Sequence, residues 1–97
     1  MSYSFHPAAE AEYLEAIRYY ESKRPGLGAA LLADFESVID TVCAAPRRNP
    51  VEQSPDVRRK SLRRFPYTVL YRERSGLVEV LAIAHHRRRP EYWVGRL

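Results

Sequence analysis

Two runs of strand-forming residues separated by a tight turn constrain the fold of this chain more than any other feature. The first run, Tyr67–Arg72, is rich in aromatic and β-branched residues and alternates between two faces. The second run, Leu77–Ala84, is apolar except at Glu79, as expected of a strand that is covered on both faces. Gly76 lies in the polar segment between the runs and can adopt the positive φ of a short turn. The two runs therefore predict an antiparallel hairpin in the middle of a sheet.

Two amphipathic helices are predicted upstream of this hairpin. Apolar residues recur at spacings of three and four along Ala8–Lys23, and a second stripe of the same kind follows along Leu27–Val42. An Arg-Pro-Gly break at residues 24–26 separates them. Because this connection is so short, the helices must form an antiparallel hairpin whose apolar stripes need a sheet to cover. Tyr13, Tyr19 and Tyr20 are interpreted as packing residues, with a recognition surface as the alternative.

The remaining segments complete an α+β pattern. Met1–Phe5 has the alternation of a short first strand, and Val57–Leu62 predicts a further strand with a polar face. Arg47–Asp56 contains prolines, lacks an apolar period and is predicted to be a loop, whereas Glu91–Leu97 is predicted to be a helical turn or a loose tail. We therefore predict one domain over residues 1–97 with the order β-α-α-β-β-β. An antiparallel sheet of about four strands would carry the helical hairpin on one face and the arginines on the other.

The composition limits the class of protein. Of the 97 residues, 45% are hydrophobic and 29% are charged, which is typical of a globular domain. The chain lacks the roughly 18 consecutive apolar residues of a membrane span and lacks a signal peptide, so we expect a cytoplasmic protein with no membrane partner. Its single cysteine, Cys43, cannot form an internal disulfide, and His6, His85 and His86 lack a third ligand for zinc. No metal ion or cofactor is therefore expected.

Charge is distributed unevenly along the chain. Residues 1–45 contain seven acidic and three basic residues and residues 46–97 contain five acidic and thirteen basic residues, so the formal charges of the halves are about −4 and +8. This asymmetry predicts a polyanionic or acidic partner for the second half, and the alternative is a solvated basic face. Two clusters hold most of these cations: Arg58, Arg59, Lys60, Arg63 and Arg64 in the first, and Arg87, Arg88 and Arg89 in the second.

Four sequence features occur in an order that is typical of a known family. They are Phe5-His6-Pro7-Ala8 with Tyr19-Tyr20-Glu21, Arg63-Arg64-Phe65-Pro66-Tyr67 leading to Val69-Leu70-Tyr71, the strand hairpin, and His85-His86-Arg87-Arg88 followed by Pro90-Glu91-Tyr92-Trp93. Together they cover nearly the whole chain and resemble the RelE/ParE superfamily of bacterial toxins from type II toxin–antitoxin modules, also called plasmid stabilisation proteins. The resemblance implies a growth-inhibiting toxin that is neutralised by a cognate antitoxin, whose flexible carboxyl-terminal segment wraps the toxin.

The resemblance leaves two targets open. One branch of the superfamily cuts messenger RNA on the ribosome without a metal ion, and the other, like ParE, poisons DNA gyrase and has lost the catalytic residues. Metal-free cleavage of RNA needs cations at the phosphate and groups that move protons. The candidates are Arg59, Arg63 and Arg87 as cations, and His85, His86 or Tyr92 as proton-transfer groups.

Two departures from the nuclease pattern favour gyrase and a toxin that is not an enzyme. RelE-like nucleases carry an arginine where this chain has Thr68, and Trp93 falls at the place of the nuclease tyrosine, with Tyr92 one residue away. On this interpretation the surface that binds antitoxin or target comprises Arg58, Arg59, Lys60, Arg63, Arg64, Arg87, Arg88 and Trp93. Anchoring of the tail is an equal alternative for Tyr92 and Trp93. The neighbours His85 and His86 should point to opposite faces of the sheet.

A third hypothesis is a plain nucleic-acid-binding module. Its affinity would fall steeply with salt, because several phosphate contacts release counterions on binding. Such a module would need no antitoxin.

Overall fold

A computed structural model describes all 97 residues of the chain. In chain order its elements are β1 (Ser2–Phe5), α1 (Pro7–Lys23), α2 (Leu27–Ala44), β2 (Val51–Gln53), β3 (Val57–Ser61), β4 (Tyr67–Arg74), β5 (Leu77–His85) and a 3-10 helix (Val94–Arg96). The strands form one sheet in the order β1-β5-β4-β3-β2. The predicted α+β fold with an amino-terminal helical hairpin is confirmed. None of the helices combines the length and the apolar character that crossing a membrane requires.

The sheet differs from the prediction in two details. Val51–Gln53 forms a fifth strand inside the segment predicted to be a loop, and it pairs antiparallel with β3 at the edge of the sheet. Flanking prolines are tolerated there because an edge strand needs a ladder partner on one side only. In addition, β1 lies parallel to β5, so the sheet is mixed rather than wholly antiparallel. The parallel pairing arises because the helical hairpin returns the chain to its starting direction, and the four strands β2 to β5 then alternate in direction, so that β5 runs the same way as β1.

Local hydrogen bonds fix the beginning of each helix. His6 caps α1, since its Nδ1 accepts a hydrogen bond from the Ala8 N–H at 3.0 Å. The cap residue of α2 is Gly26, with a φ of 94°, and it has no side chain to offer. The Glu21 carboxylate of α1 instead accepts hydrogen bonds from the N–H groups of Gly26 and Gly28, at 3.1 and 2.9 Å. An acid of one helix thus caps the next helix and fixes the hairpin between them.

The larger core lies between the helical hairpin and the sheet. It contains fourteen buried residues, all of them uncharged. Phe5 of β1, Tyr13 of α1 and Phe35 of α2 form its aromatic centre, with ring centroids 4.6 to 5.6 Å apart. The buried hydroxyl of Tyr71 donates a hydrogen bond to the Pro46 carbonyl at 2.7 Å. This core therefore joins both helices to the sheet through apolar contact, with its polar atoms satisfied.

A smaller core lies on the opposite face of the sheet. Val57, Leu70, Leu81 and Ala82 line it, and Trp93 of the carboxyl-terminal tail packs among them with 3% of its surface exposed. The tail itself forms turns and the 3-10 helix, so the predicted helical turn is present. We predicted that this face of the sheet would carry the arginines. The prediction is wrong for the centre of the face, because the carboxyl-terminal tail covers it.

A β-bulge in β5 produces this second core. Leu70 of β4 pairs with Ala82, but the next residue of β4 pairs with Val80, so Leu81 is the extra residue. Leu81 and Ala82 consequently point to the same face. Alternation then resumes in the opposite phase, and Ile83 enters the larger core.

Candidate functional site

One end of the sheet gathers exposed arginines. The turn between β3 and β4 meets the end of β5 there, because the His86 N–H donates a hydrogen bond to the Pro66 carbonyl at 2.9 Å. The arginines on either side of this contact are exposed, and none belongs to the six ion pairs of the structure. We call this group the basic end, and it comprises Arg63, Arg64, Arg87, Arg88 and Arg89. Neighbouring unpaired cations repel one another, and an acidic or anionic partner relieves that repulsion.

A buried carboxylate fixes the first part of the basic end. Asp34 of α2 is 7% exposed, and its two oxygens accept hydrogen bonds from the N–H groups of Arg63 and Arg64 at 3.1 and 2.8 Å. These bonds satisfy two backbone donors of the turn and tie it to the helical hairpin. The side chains of both arginines remain exposed. Asp34 therefore sets the position of the turn from which the two cations project.

The predicted basic cluster on β3 does not form a single surface. Alternation along the strand sends Arg58 and Arg59 to opposite faces. Arg58 is half-buried and donates a hydrogen bond to a backbone carbonyl at 2.7 Å, whereas Arg59 forms an ion pair with Glu52 of β2 at 3.2 Å. Lys60 is half-buried on β3. Only the last two cations of the predicted cluster belong to the basic end.

His85 and His86 lie on opposite faces of the sheet, as strand alternation predicts. His85 packs edge-to-face on Tyr67 on the helical side, with ring centroids 5.1 Å apart. His86 Nε2 lies 3.0 Å from Thr68 Oγ1, which lies 3.1 Å from Ser61 Oγ. These three side chains form a hydrogen-bonded row that runs from β3 to the end of β5. A ligand on either face would therefore meet only one of the two histidines.

A groove lined by tyrosines opens beside the basic end. It lies between α1 and the end of β5, has a volume of about 430 Å³, and includes Tyr19, Tyr20 and Tyr67 in its wall. Burial raises the pKa of Tyr67 to about 12, so this phenol stays protonated at neutral pH. His85 and Arg88 contribute the basic part of the lining, and Glu12 and Glu15 of α1 contribute an acidic part. We call this feature the tyrosine groove, and through Arg88 it is continuous with the basic end.

The tyrosines of α1 divide between core and groove. Tyr13 packs against the larger core, and Tyr20 lies edge-to-face on Phe65 with ring centroids 4.9 Å apart. Tyr19, in contrast, is exposed. The interpretation of these tyrosines as packing residues is therefore correct for Tyr13 and Tyr20, and wrong for Tyr19. Adjacent residues on a helix point in directions about 100° apart, so Tyr19 and Tyr20 need not face the same core.

A polar cluster, which we call the Glu12 clasp, fastens the carboxyl-terminal tail to α1. The Glu12 carboxylate accepts two hydrogen bonds from the Arg96 guanidinium at 3.0 and 2.8 Å, one from the Tyr92 hydroxyl at 2.8 Å and one from the Ile83 N–H at 3.0 Å. Arg96 also donates to the Leu81 carbonyl at 3.0 Å. The Glu12 and Arg96 side chains are each 16% exposed, so water screens this bidentate pair only weakly.

The contacts of the clasp set its protonation state. Burial by itself raises the pKa of Glu12, but hydrogen bonds from Arg96, the Ile83 N–H and Tyr92 outweigh that effect, so the pKa of Glu12 is lowered. Burial raises the pKa of Tyr92, and its hydrogen bond to Glu12 raises it further. The hydrogen bond to Glu12 also raises the pKa of Arg96. At neutral pH an ionised Glu12 thus holds a protonated Tyr92, whose hydroxyl is poorly placed to transfer a proton to another group.

Tyr92 and Trp93 both anchor the tail in this structure. Tyr92 does so through Glu12, and Trp93 does so through the smaller core. The inclusion of Trp93 among the binding residues is corrected, because its burial leaves almost no surface for a partner. No group of three or more histidine, cysteine, aspartate or glutamate side chains is arranged to hold a metal ion.

The comparisons with known proteins agree with this architecture. The family described as ParE toxin of type II toxin-antitoxin system, parDE, has a sequence model that matches residues 3–90. A solved structure described as the chromosomal ParDE TA system from P. aeruginosa is similar to the chain, with a TM-score of 0.69 and 20% sequence identity over 88% of this chain and 95% of that chain. At this identity the similarity shows the fold. No curated protein sequence matches the chain. Because the family match spans most of its length, the chain belongs to the ParE toxin family of type II toxin–antitoxin systems.

Proposed function

We propose that this type II toxin inhibits growth by binding DNA gyrase, and that it breaks no bond itself. The observation that carries this proposal is that other contacts already engage the residues that a nuclease would need. Tyr92 is hydrogen-bonded to Glu12, His86 is hydrogen-bonded to Thr68, and Arg59 is paired with Glu52. Acid–base cleavage of RNA requires its proton-transfer groups and its cations within reach of one phosphate.

The basic end and the tyrosine groove are suited to binding another protein. Arginine and tyrosine are enriched at the energetic centres of protein interfaces, where they combine apolar area with hydrogen-bonding capacity. Here exposed arginines without carboxylate partners adjoin a groove walled by Tyr19, Tyr20 and Tyr67. An acidic patch on the target would supply the missing carboxylates and accelerate association.

The same charge distribution suits the binding of an antitoxin. We propose that a cognate antitoxin neutralises the toxin with an acidic, amphipathic segment that covers the basic end. Such a segment would place apolar side chains in the tyrosine groove and carboxylates near His85 and Arg88. Covering these residues would deny them to the target, and the toxin would then be inactive in the complex.

The test of the target is a direct comparison of two activities. The purified protein is added to a gyrase supercoiling reaction and, separately, to a translating extract with messenger RNA. We expect supercoiling to be inhibited and messenger RNA to remain intact. Cleavage of messenger RNA without any effect on supercoiling would refute the proposal. Arg63→Ala and Arg87→Ala should each weaken inhibition by about tenfold or more, because each removes a cation that the target would pair.

Arg18→Ala is the matched control for these variants. Arg18 is also an exposed arginine, but it lies on α1 and pairs only loosely with Glu15 at 3.7 Å. Its removal lowers the net charge by the same amount as Arg63→Ala. Equal loss of inhibition in Arg18→Ala and Arg63→Ala would show that overall charge, rather than the basic end, drives binding.

The hydrogen-bonded row of Ser61, Thr68 and His86 favours one second candidate. It places an imidazole on the open part of the sheet, on the strand end that leads directly to Arg87. A ribosome-dependent endoribonuclease could use these two residues on a phosphate. On this hypothesis His86→Ala and Arg87→Ala remain folded but lose both toxicity and messenger RNA cleavage. A plain nucleic-acid-binding module would instead arrest neither DNA synthesis nor translation when induced in cells.

A further inference from the structure

We propose that Glu12 is a positioning residue for the binding surface of this toxin. It holds the carboxyl-terminal tail so that Tyr92 lies beneath the Arg88 guanidinium and keeps that cation at the mouth of the tyrosine groove. This inference rests on the proposed function in one respect, namely that Arg88 contacts a partner. Glu12 also lines the tyrosine groove, but its carboxylate is engaged by Arg96, Tyr92 and the Ile83 N–H, and in this proposal it acts through Tyr92.

The clasp replaces a missing length of strand. β1 pairs with β5 only as far as Val80, and the chain then leaves the sheet to begin α1. Beyond that point Glu12 accepts the hydrogen bond of the Ile83 N–H, and Arg96 donates to the Leu81 carbonyl. Two side chains that also bind each other thus satisfy backbone groups at the sheet edge. The tail is therefore fastened to the edge of β5 and to α1 at the same time.

The link from Glu12 to the basic end passes through one aromatic ring. The Arg88 guanidinium lies 3.9 Å from the centroid of the Tyr92 ring, a distance suited to a cation–π interaction. The hydroxyl of that ring donates to Glu12 at 2.8 Å. The Arg88 backbone is fixed independently, because its N–H donates to the His85 carbonyl at 2.9 Å. Release of Tyr92 from Glu12 would therefore leave the Arg88 backbone in place and free its side chain.

A double-mutant cycle tests this linkage. The four proteins are the wild type, Glu12→Gln, Arg88→Ala and the double variant, and the measurement is the inducer level that halves the growth rate in cells without antitoxin. We expect Glu12→Gln and Arg88→Ala each to raise that level about tenfold, and the double variant to be no worse than Arg88→Ala alone. Additive effects of the two substitutions would overturn the proposal, as would full toxicity of Glu12→Gln in spite of a released tail.

Hydrogen exchange shows whether the tail is released in each variant. In Glu12→Gln the amides of residues 92–97 should exchange faster, while amides of the larger core keep their protection. Glu10→Gln, an exposed substitution in the first turn of α1, is the control and should change neither exchange nor toxicity. If Glu12→Gln fails to fold, Tyr92→Phe decides the question, because it removes only the hydroxyl contact and keeps the ring. Its effect should also vanish in the Arg88→Ala background, and an undiminished effect there would contradict the proposal.

The growth measurement does not depend on the identity of the target. If wild-type protein arrests growth but leaves gyrase active, the proposed target is wrong and the cycle still reports on Glu12. If gyrase is inhibited and the two substitutions act additively, the proposed target is supported and the proposed role of Glu12 is wrong.

Discussion

On the helical face of the sheet a core of fourteen buried residues joins two long helices to the sheet, whereas on the opposite face four buried residues of the sheet and Trp93 of the short tail form the smaller core. The helical hairpin is held to the sheet mainly by apolar contacts, with two hydrogen bonds that Asp34 accepts from the turn between β3 and β4. The tail depends on Trp93 and on the hydrogen bonds of the Glu12 clasp. Terminal segments held by few contacts open at lower free energy than the core of a domain. The comparison indicates that packing on the helical face supplies the stability of the fold. Substitutions on the opposite face and at the basic end should therefore lower the free energy of unfolding only a little.

The largest effect that separates the two faces should come from Phe35→Ala. Phe35 is 1% exposed and packs against Phe5 and Tyr13, so its truncation leaves a cavity in the larger core. We expect a loss of about 3–5 kcal/mol in the free energy of unfolding, measured with urea. Leu32→Ala on the same helix is the control, since Leu32 is 39% exposed and should lose no more than about 1 kcal/mol. Similar losses in the two variants would mean that the helical face is not the stable one.

Trp93→Ala should have a smaller and more local effect. The substitution removes the largest side chain of the smaller core, but the tail can detach without unfolding the sheet, which limits the loss to about 1–3 kcal/mol. Amide hydrogen exchange should accelerate in Val94–Arg96 and stay slow in α2. Leu97→Ala, at an exposed terminal position, should leave exchange unchanged. Global loss of protection in Trp93→Ala would show that the two faces unfold as one unit.

Acid should weaken the clasp before it weakens the larger core. The pKa of Glu12 is lower in the folded protein than its ordinary value of 4.5, so an unfolded chain or a released tail takes up the proton first as pH falls. The stability that Glu12 contributes is therefore fully present above about pH 4.5 and is lost as pH falls through its lowered folded-state pKa. Exchange of the tail amides, followed from about pH 6 to about pH 3, should reveal this loss after correction for intrinsic rates. Glu12→Gln should lack this step, and an identical acid profile in that variant would assign the step to another carboxylate.

The smallest effect on stability should come from the basic end. Arg63→Ala and Arg87→Ala remove exposed side chains without ion-pair partners, so the free energy of unfolding should change by less than about 0.5 kcal/mol. Thermal melts of the variants and the wild type provide the measurement. A loss above about 1 kcal/mol would place these residues among the structural contacts and remove the reason to assign them to a binding surface.

Periodicity predicted the elements whose residues alternate regularly and failed where regularity breaks. Both helices and the strands β1, β3, β4 and β5 follow patterns that the sequence displays. β2 has three residues between prolines, too few for an alternation to be visible. The bulge at Leu81 was hidden because its neighbours are apolar on both faces.

The sequence predicted only part of the candidate site, and the residues that it did not reveal share one property. The exposed arginines at residues 63–64 and 87–89 were identified from charge alone. Asp34 and Glu12 were not, because each binds backbone groups far away in the chain, and such contacts leave no spacing to detect. The sequence allowed Trp93 either to anchor the tail or to contact a partner, and its burial in the structure favours the anchoring role.

The bulge at Leu81 decides which groups the end of β5 presents on each face. Because the side-chain period of a strand is two, a regularly alternating β5 of the same sequence would place every residue after Leu81 on the opposite face from the one it now occupies. His86 would then turn toward the helices and His85 toward the row of Ser61 and Thr68. The bulge absorbs the extra residue, so removing Leu81 would restore regular alternation and leave both histidines on their present faces. An extra residue is thus accommodated within a buried strand without altering the groups that its end presents.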